Sequence, residues 1–255
     1  MAISIKSEAE IGLMRESCQI VADVIKLIGT QIRSGVTTGQ LDALAEDYIK
    51  SCGGVPAFKG YGFEEGNPFP GTLCVSIDSE VVHGIPGKRV LREGEIVSID
   101  VGVKKNGFFG DGAFTFAVGG VSEEKERLMK VTKESLDKAV EQAVAGNRIG
   151  DIAYAVQSHV EESGYSVVRD LVGHAVGREL HEDPQVPNYG KPNKGTVLKE
   201  GMTLAIEPMV NMGTYEVRTA ADRWTIITKD GMPSAHYEYT IVVRKDKAEI
   251  LTVYK

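Results

Sequence analysis

Cysteine is scarce in this sequence. Cys18, Cys52 and Cys74 are scattered and form no CxxC pair, which argues against a disulfide framework and a cysteine-based zinc site and suits a reducing cytoplasm. Long apolar runs are missing too. No stretch approaches the roughly 20 residues that span a bilayer, and the start "MAISIKSEAEIGLM" has no signal-peptide core. Positive charge is not in excess. With a net charge of -7 and no run of lysine or arginine, the chain offers nothing to a polyanion or an anionic membrane, so neither nucleic acid nor lipid is an expected partner. HExxH, GxSxG, Walker A and GxGxxG are all absent, which removes the commonest zincin, serine hydrolase and nucleotide-binding readings.

What is present is a chain of 255 residues, 42% hydrophobic, with enough length to bury a sizeable core. Ser7 to Glu10 reads as a capping box, and Ile11, Met14, Cys18, Val21, Ile25, Ile28 and Ile32 follow as one apolar helical stripe. "GQLDALAEDYIKSCGG" predicts a second helix stopped by Gly53 and Gly54. Strand-like, glycine-rich sequence runs from there to about Gly119. "SEEKERLMKVTKESLDKAVEQAV" and "GDIAYAVQSHVEESG" are again helical, and strands and loops follow.

Two helices and then strands thus occur twice, and the halves resemble each other in detail. "LREGEIVSID" (91–100) parallels "LKEGMTLAIE" (198–207), and "GVTTGQLDALAEDYIKSCG" parallels "GNRIGDIAYAVQSHVEESG". The expectation is an α+β fold in which two halves, about 1–120 and 121–255, share one antiparallel sheet and one core, making a single catalytic domain over 1–255. The repeat pairs Asp100 with Glu207, which would meet near a pseudo-twofold axis.

In "SIDVGVKKNGFFGDGAF", Asn106-Gly107 is the preferred dipeptide of a two-residue type I′ hairpin. That turn sets Lys105 opposite Phe108, Gly102 opposite Asp111 and Asp100 opposite Ala113. Asp100 and Asp111 then share a face as diagonal neighbours, roughly 7 to 8 Å apart, with open space expected over Gly102. A loop one residue longer would send them to opposite faces. Neighbouring carboxylates either share a proton or hold a cation. Glu207 and Glu238 add two more acids in apolar surroundings, and two divalent ions neutralise four carboxylates better than any shared proton does. Taken alone, each acid is an edge charge or turn former. His159, at the position of Tyr48 in the other half, reads as structural. Glu182 and Asp183 read as solvated loop charges, Cys74 as a small buried side chain and Trp224 as core.

"SIDVG", "GDGAF", "GHAVGRELHEDP", "AIEPM" and "YEYT", in this order and spacing, resemble the type I methionine aminopeptidases of bacterial type over essentially the whole chain. The resemblance implies the pita-bread fold, pseudo-twofold halves with a curved antiparallel sheet covered by helices. It implies two divalent metal ions (Co, Mn, Fe or Zn) held by Asp100, Asp111, His174, Glu207 and Glu238, with Asp111 and Glu238 bridging both. The activity implied is removal of the initiator methionine from nascent proteins and peptides with a small second residue, by a metal-bridging hydroxide. Glu207 would move the proton, and His83 and His181 would face the substrate peptide bond. Tyr61, Cys74 and Trp224 match the pocket for the first side chain, with Phe58 and Phe69 beside them. Nascent N-termini near the ribosome are the implied partners, and a cytoplasmic monomer is expected. Leu180 stands where the family often has an aromatic residue, His236 where it often has glutamine, and "GFEEGNPFPG" is longer than the usual loop. The rivals are a proline-directed aminopeptidase of the same fold, disfavoured because the 82 residues before His83 leave little room for its extra domain, and a non-catalytic relative that binds peptides or the ribosome.

Overall fold

A computed structural model describes residues 3–62 and 66–254. The helices are α1 (Glu8–Gly29), α2 (Thr38–Ser51), α3 (Glu123–Gln142) and α4 (Ile149–Glu162). Strands of the first half are β1 (Val55–Pro56), β2 (Leu73–Ile77), β3 (Glu80–Val82), β4 (Ile96–Lys105) and β5 (Phe108–Ala117). Those of the second half are β6 (Ser166–Val167), β7 (Val172–Ala175), β8 (Glu182–Pro187), β9 (Thr203–Ile206), β10 (Met209–Asn211), β11 (Val217–Thr219), β12 (Ile226–Thr228), β13 (Ser234–His236), β14 (Glu238–Val242) and β15 (Glu249–Ile250). The main sheet runs β1-β4-β5-β14-β9-β7-β8, with β2 also on β4 and β15 also on β14. All its pairings are antiparallel, and β5 and β14 join the two halves. Two three-stranded sheets, β13-β10-β6 and β11-β12-β3, lie beside it; the sequence reading did not foresee them.

The duplication is visible at the level of single hydrogen bonds. In the first half Gly35 N–H donates to Leu91 O (3.0 Å) and Leu91 N–H to Val36 O (2.8 Å). In the second, Gly146 donates to Leu198 (3.0 Å) and Leu198 to Asn147 (2.8 Å). Gly35 and Gly146 have φ of 93° and 99°, which L side chains rarely adopt. Each therefore turns the chain into the second helix of its half.

Local chemistry explains the ends of α1. Ser7 Oγ accepts from Glu10 N–H at 3.4 Å and Glu10 returns the bond to Ser7 N–H at 2.9 Å, the anticipated capping box. The helix stops at Gly29, earlier than the apolar stripe suggested, and Ile32 packs from the following turn. At Gly29 the Phe116 ring comes so close that a Cβ would lie 2.7 Å from it.

The hairpin of β4 and β5 has the expected register: Asp100 faces Ala113, Gly102 faces Asp111 and Lys105 faces Phe108. Asn106 and Gly107 carry φ of 51° and 82°, as a type I′ turn requires. Alternation then sorts the side chains. Ile99, Val101 and Val103 enter a core with α1 and α2, so Ser98, Asp100 and Gly102 occupy the other face. In "GDG" the glycines face α1 and the aspartate faces away from it. A Cβ at Gly110 would stand 2.8 Å from the backbone nitrogen of Cys18, and one at Gly112 would stand 3.0 Å from the Val21 side chain. Because backbone cannot yield cheaply, Gly110→Ala is expected to destabilise the fold by about 1–3 kcal/mol. An unchanged urea midpoint would refute this account of the contact.

A candidate metal centre and its pocket

Each acidic side chain reaches the centre from a different strand. Asp100 lies on β4, Asp111 on β5, Glu238 at the start of β14 and Glu207 just after β9. Asp111 is fixed from across the junction of the halves: the Thr240 hydroxyl donates to its carbonyl at 2.8 Å and accepts its N–H at 3.1 Å. Asn188 Nδ2 holds the Glu207 carbonyl at 3.0 Å. Gly173, before His174, has no room for a side chain, since a Cβ there would meet Glu207 Cγ at 3.2 Å and strike the Ala205 carbonyl.

Asp111, His174 and Glu238 each offer a ligand atom within 4.8 Å of the others. All three are buried, as is Asp100. His174 Nδ1 lies 3.0 Å from the Ala175 carbonyl, which can only accept. Its proton is therefore on Nδ1, and Nε2 turns a lone pair toward Glu207 Oε1 at 3.5 Å and Asp111 Oδ2 at 3.9 Å. Burial holds His174 neutral, with its pKa lowered to about 3. With the carboxyls ionised, three acceptors thus point at one another. Asp100 Oδ1 and Glu238 Oε1 are buried with no hydrogen-bond partner. Burial raises Asp100 to about 8. Burial, aided by the neighbouring carboxylates, pushes Asp111 and Glu238 well above the usual range, and burial together with Asp100 does the same to Glu207. Electron pairs without donors, in a buried oxygen and imidazole set, fit divalent cations. A metal-binding histidine usually makes such a bond from its other ring nitrogen to a carbonyl.

Above this floor lies a cavity of about 130 Å³. Phe58, Phe69, Cys74, Leu180, Tyr61 and Trp224 are its apolar and aromatic walls. A space of roughly this size accepts one benzene-sized group, which suits a single side chain. His83 and His181 stand at its rim. His83 has φ of 59°, a strained value for a non-glycine residue. Burial, with a contribution from His181, lowers its pKa to about 4, so it is neutral. The Tyr61 hydroxyl and His181 Nδ1 are 2.8 Å apart, and the His181 ring lies 4.3 Å from that of His174.

Several expectations need correcting. The space over Gly102 is not empty: a Cβ there would stand 2.7 Å from the Phe58 ring and 2.9 Å from Ala57. Gly102 therefore admits Phe58 to the pocket wall. Trp224 is half-buried rather than core and packs edge-on to Phe69, with ring centroids 5.4 Å apart. Glu182 is no solvated loop charge; it is paired with the buried Lys6. His159 is structural as expected, 3.1 Å from Glu134 on α3. Part of the enlarged loop, residues 63–65, lies outside the described residues.

A scan of the sequence against family models matches the metallopeptidase family M24 over residues 12–245. The chain belongs to metallopeptidase family M24. Within M24 it sides with the methionine aminopeptidases. The methionine aminopeptidase of Clostridium acetobutylicum is 52% identical, the match covering 98% of this chain and 99% of that one. Methionine aminopeptidase 1 of Bacillus subtilis is 50% identical, over 97% and 98% of the two chains. Among solved structures, the methionine aminopeptidase of Thermotoga maritima superposes with a TM-score of 0.95 at 45% identity, covering 98% and 99%. The prolidase of Pyrococcus furiosus shares the M24 fold at a TM-score of 0.78 and 25% identity, but this chain covers only 66% of it.

Sequence reasoning missed the residues that hold the pocket walls of this M24 chain. Asp42, on α2, accepts Thr72 N–H and Leu73 N–H, each at 2.8 Å, and so places the strand that carries Cys74. Asp222 accepts Trp224 N–H and Thr225 N–H at 2.9 Å, and Trp224 Nε1 donates to Asn67 O at 3.0 Å. The Asp222 pattern was open to reading, because an aspartate two residues before a tryptophan in "ADRWT" fits a turn in which the side chain caps the backbone. Asp42 sits mid-helix, and nothing local marks its partner.

Proposed function

We propose that this chain removes the N-terminal methionine from peptides and nascent proteins whose second residue is small, using two divalent ions held by Asp100, Asp111, His174, Glu207 and Glu238. The observation that carries the reading is the bare Nε2 of His174 aimed at carboxylate oxygens beneath a pocket sized for one side chain. The ions supply Lewis acidity and a nucleophilic water at neutral pH. Glu207 takes a proton from the attacking water and returns it to the leaving nitrogen. His83 and His181, neutral at the rim, donate hydrogen bonds to the oxygen on which charge develops. Phe58, Phe69, Cys74, Trp224 and Tyr61 enclose the methionine thioether, a soft group that favours aromatic and sulfur neighbours.

A peptide panel tests this. Met-Ala and Met-Gly peptides are expected to release methionine, and Met-Lys peptides to resist by a factor of about 100 or more, since a pocket edge that clashes with a long second side chain costs several kcal/mol. Dialysis against a chelator abolishes the release, and added Mn or Co restores it. Cleavage confined to Xaa-Pro peptides would overturn the substrate assignment, and full turnover after chelation would overturn the metal assignment.

A further inference from the structure

The loop that delivers His181 is tied to the N-terminal segment of the chain. Between β7 and β8 the backbone turns through Gly177, whose N–H donates to Glu179 O at 3.0 Å and whose carbonyl accepts Phe109 N–H at 2.8 Å. Glu182 Oε1 closes the turn from inside by accepting Arg178 N–H at 2.8 Å and Glu179 N–H at 3.3 Å. Its other oxygen takes the ammonium of Lys6, a residue 176 positions away. The Lys6 side chain is only 2% exposed and that of Glu182 14%. Lys6 N–H is itself anchored to Gly201 O at 2.9 Å. Gly177 has no side chain because a Cβ would collide with both members of this pair.

We propose that the Lys6–Glu182 pair is a positioning device for His181. A buried ammonium without a partner is costly, so Lys6 stays inside only while Glu182 faces it. Glu182, with three donors on two oxygens, has one orientation. His181 is its neighbour in the chain and Leu180, 4% exposed, is the next residue back. The pair therefore sets where the imidazole and the adjoining pocket wall stand. Buried ion pairs add little stability compared with apolar substitutes, and specifying one arrangement is their better-supported use. The proposal rests on the reading of His181 as a group that contacts substrate, and the test separates the two.

Lys6→Met keeps the length and apolar stem and removes the charge. Its kcat on a Met-Ala peptide should fall roughly tenfold with KM nearly unchanged, as a small displacement of a rim group implies. Metal affinity by calorimetry should not move, and Lys6→Arg should restore most of the loss. In a His181→Ala background, Lys6→Met should cost less than about twofold, since groups acting through one another are not additive. With five histidines in the chain, the His181 ring resonance can be assigned by substitution, and it should shift in Lys6→Met while that of His159 does not. Losses that multiply between the two backgrounds, or an unchanged kcat with an unmoved His181 resonance, overturn the proposal. If His181→Ala turns over like the parent, the role given to His181 fails, and the resonance alone then decides the positioning claim. Should Lys6→Met not fold, Glu182→Gln, which keeps an acceptor for the two N–H groups, carries the same readouts.

Discussion

Glu207→Gln is expected to lose about 10³-fold in kcat while KM for a Met-Ala peptide changes little, because general acid–base transfer by a placed side chain contributes on the order of 10² to 10⁴. The geometry makes this substitution a clean one. Glu207 follows directly on β9, its carbonyl is fixed by Asn188, and its aliphatic stem rests over Gly173, where no side chain fits. An amide of the same shape keeps these contacts and retains an oxygen toward His174. What it cannot do is accept a proton from water and pass it on. Burial and the charge of Asp100 push the Glu207 carboxyl upward, so its environment already favours holding a proton. The check is steady-state kinetics together with metal content by atomic absorption. A variant that keeps its metal and turns over within tenfold of the parent would show that another group moves the proton. A variant that loses metal would instead make Glu207 chiefly a ligand.

Features of this chain are legible in its sequence to the extent that they are local. The hairpin register followed from two residues, Asn106 and Gly107, because a type I′ turn fixes which residues face each other, and the parity of a strand then decides that Asp100 and Asp111 share a face. The duplication could also be read, since each half needs glycine at the same positive-φ positions, Gly35 with Gly146 and Gly94 with Gly201. Features set by distant neighbours were not legible. Gly102 was seen to lack a side chain, but that Phe58 fills the space depends on how β1 docks on β4. The strained backbone of His83 is imposed by its surroundings: Gly84 binds Val75 and Ser76, and the Thr225 hydroxyl lies 3.4 Å from the His83 carbonyl. No local pattern in the sequence marks Lys6 for burial. Its burial follows only from the loop that folds over it.

Stripping the metal should make the protein's stability fall as pH rises. The reason lies in Asp100, Asp111, Glu207 and Glu238, whose carboxyls burial pushes upward, Asp100 to about 8, with neighbouring carboxylates adding to the shift at Asp111, Glu207 and Glu238. A carboxyl with a raised folded pKa binds its proton more tightly in the folded state. Its contribution to stability is complete below the unfolded pKa near 4 and is lost as pH climbs through the folded value. For Asp100 the window is therefore about pH 4 to 8, and at pH 7 the loss is roughly 4 kcal/mol by linkage. In a chain of this length that corresponds to a fall in Tm of about 10 °C. Divalent ions reverse the sign for the same groups: they bind the ionised carboxylates and release the protons, so binding strengthens as pH rises. Calorimetric scans with chelator and with saturating Mn, at half-unit steps from pH 5 to 8, should therefore diverge, the gap in Tm widening steadily with pH. Asp111→Asn, which removes one member of the repelling set, should flatten the curve of the stripped protein and narrow the gap. Two curves that stay parallel across this range would mean that burial does not raise these carboxyls, and the case for cations among them would lose its physical basis.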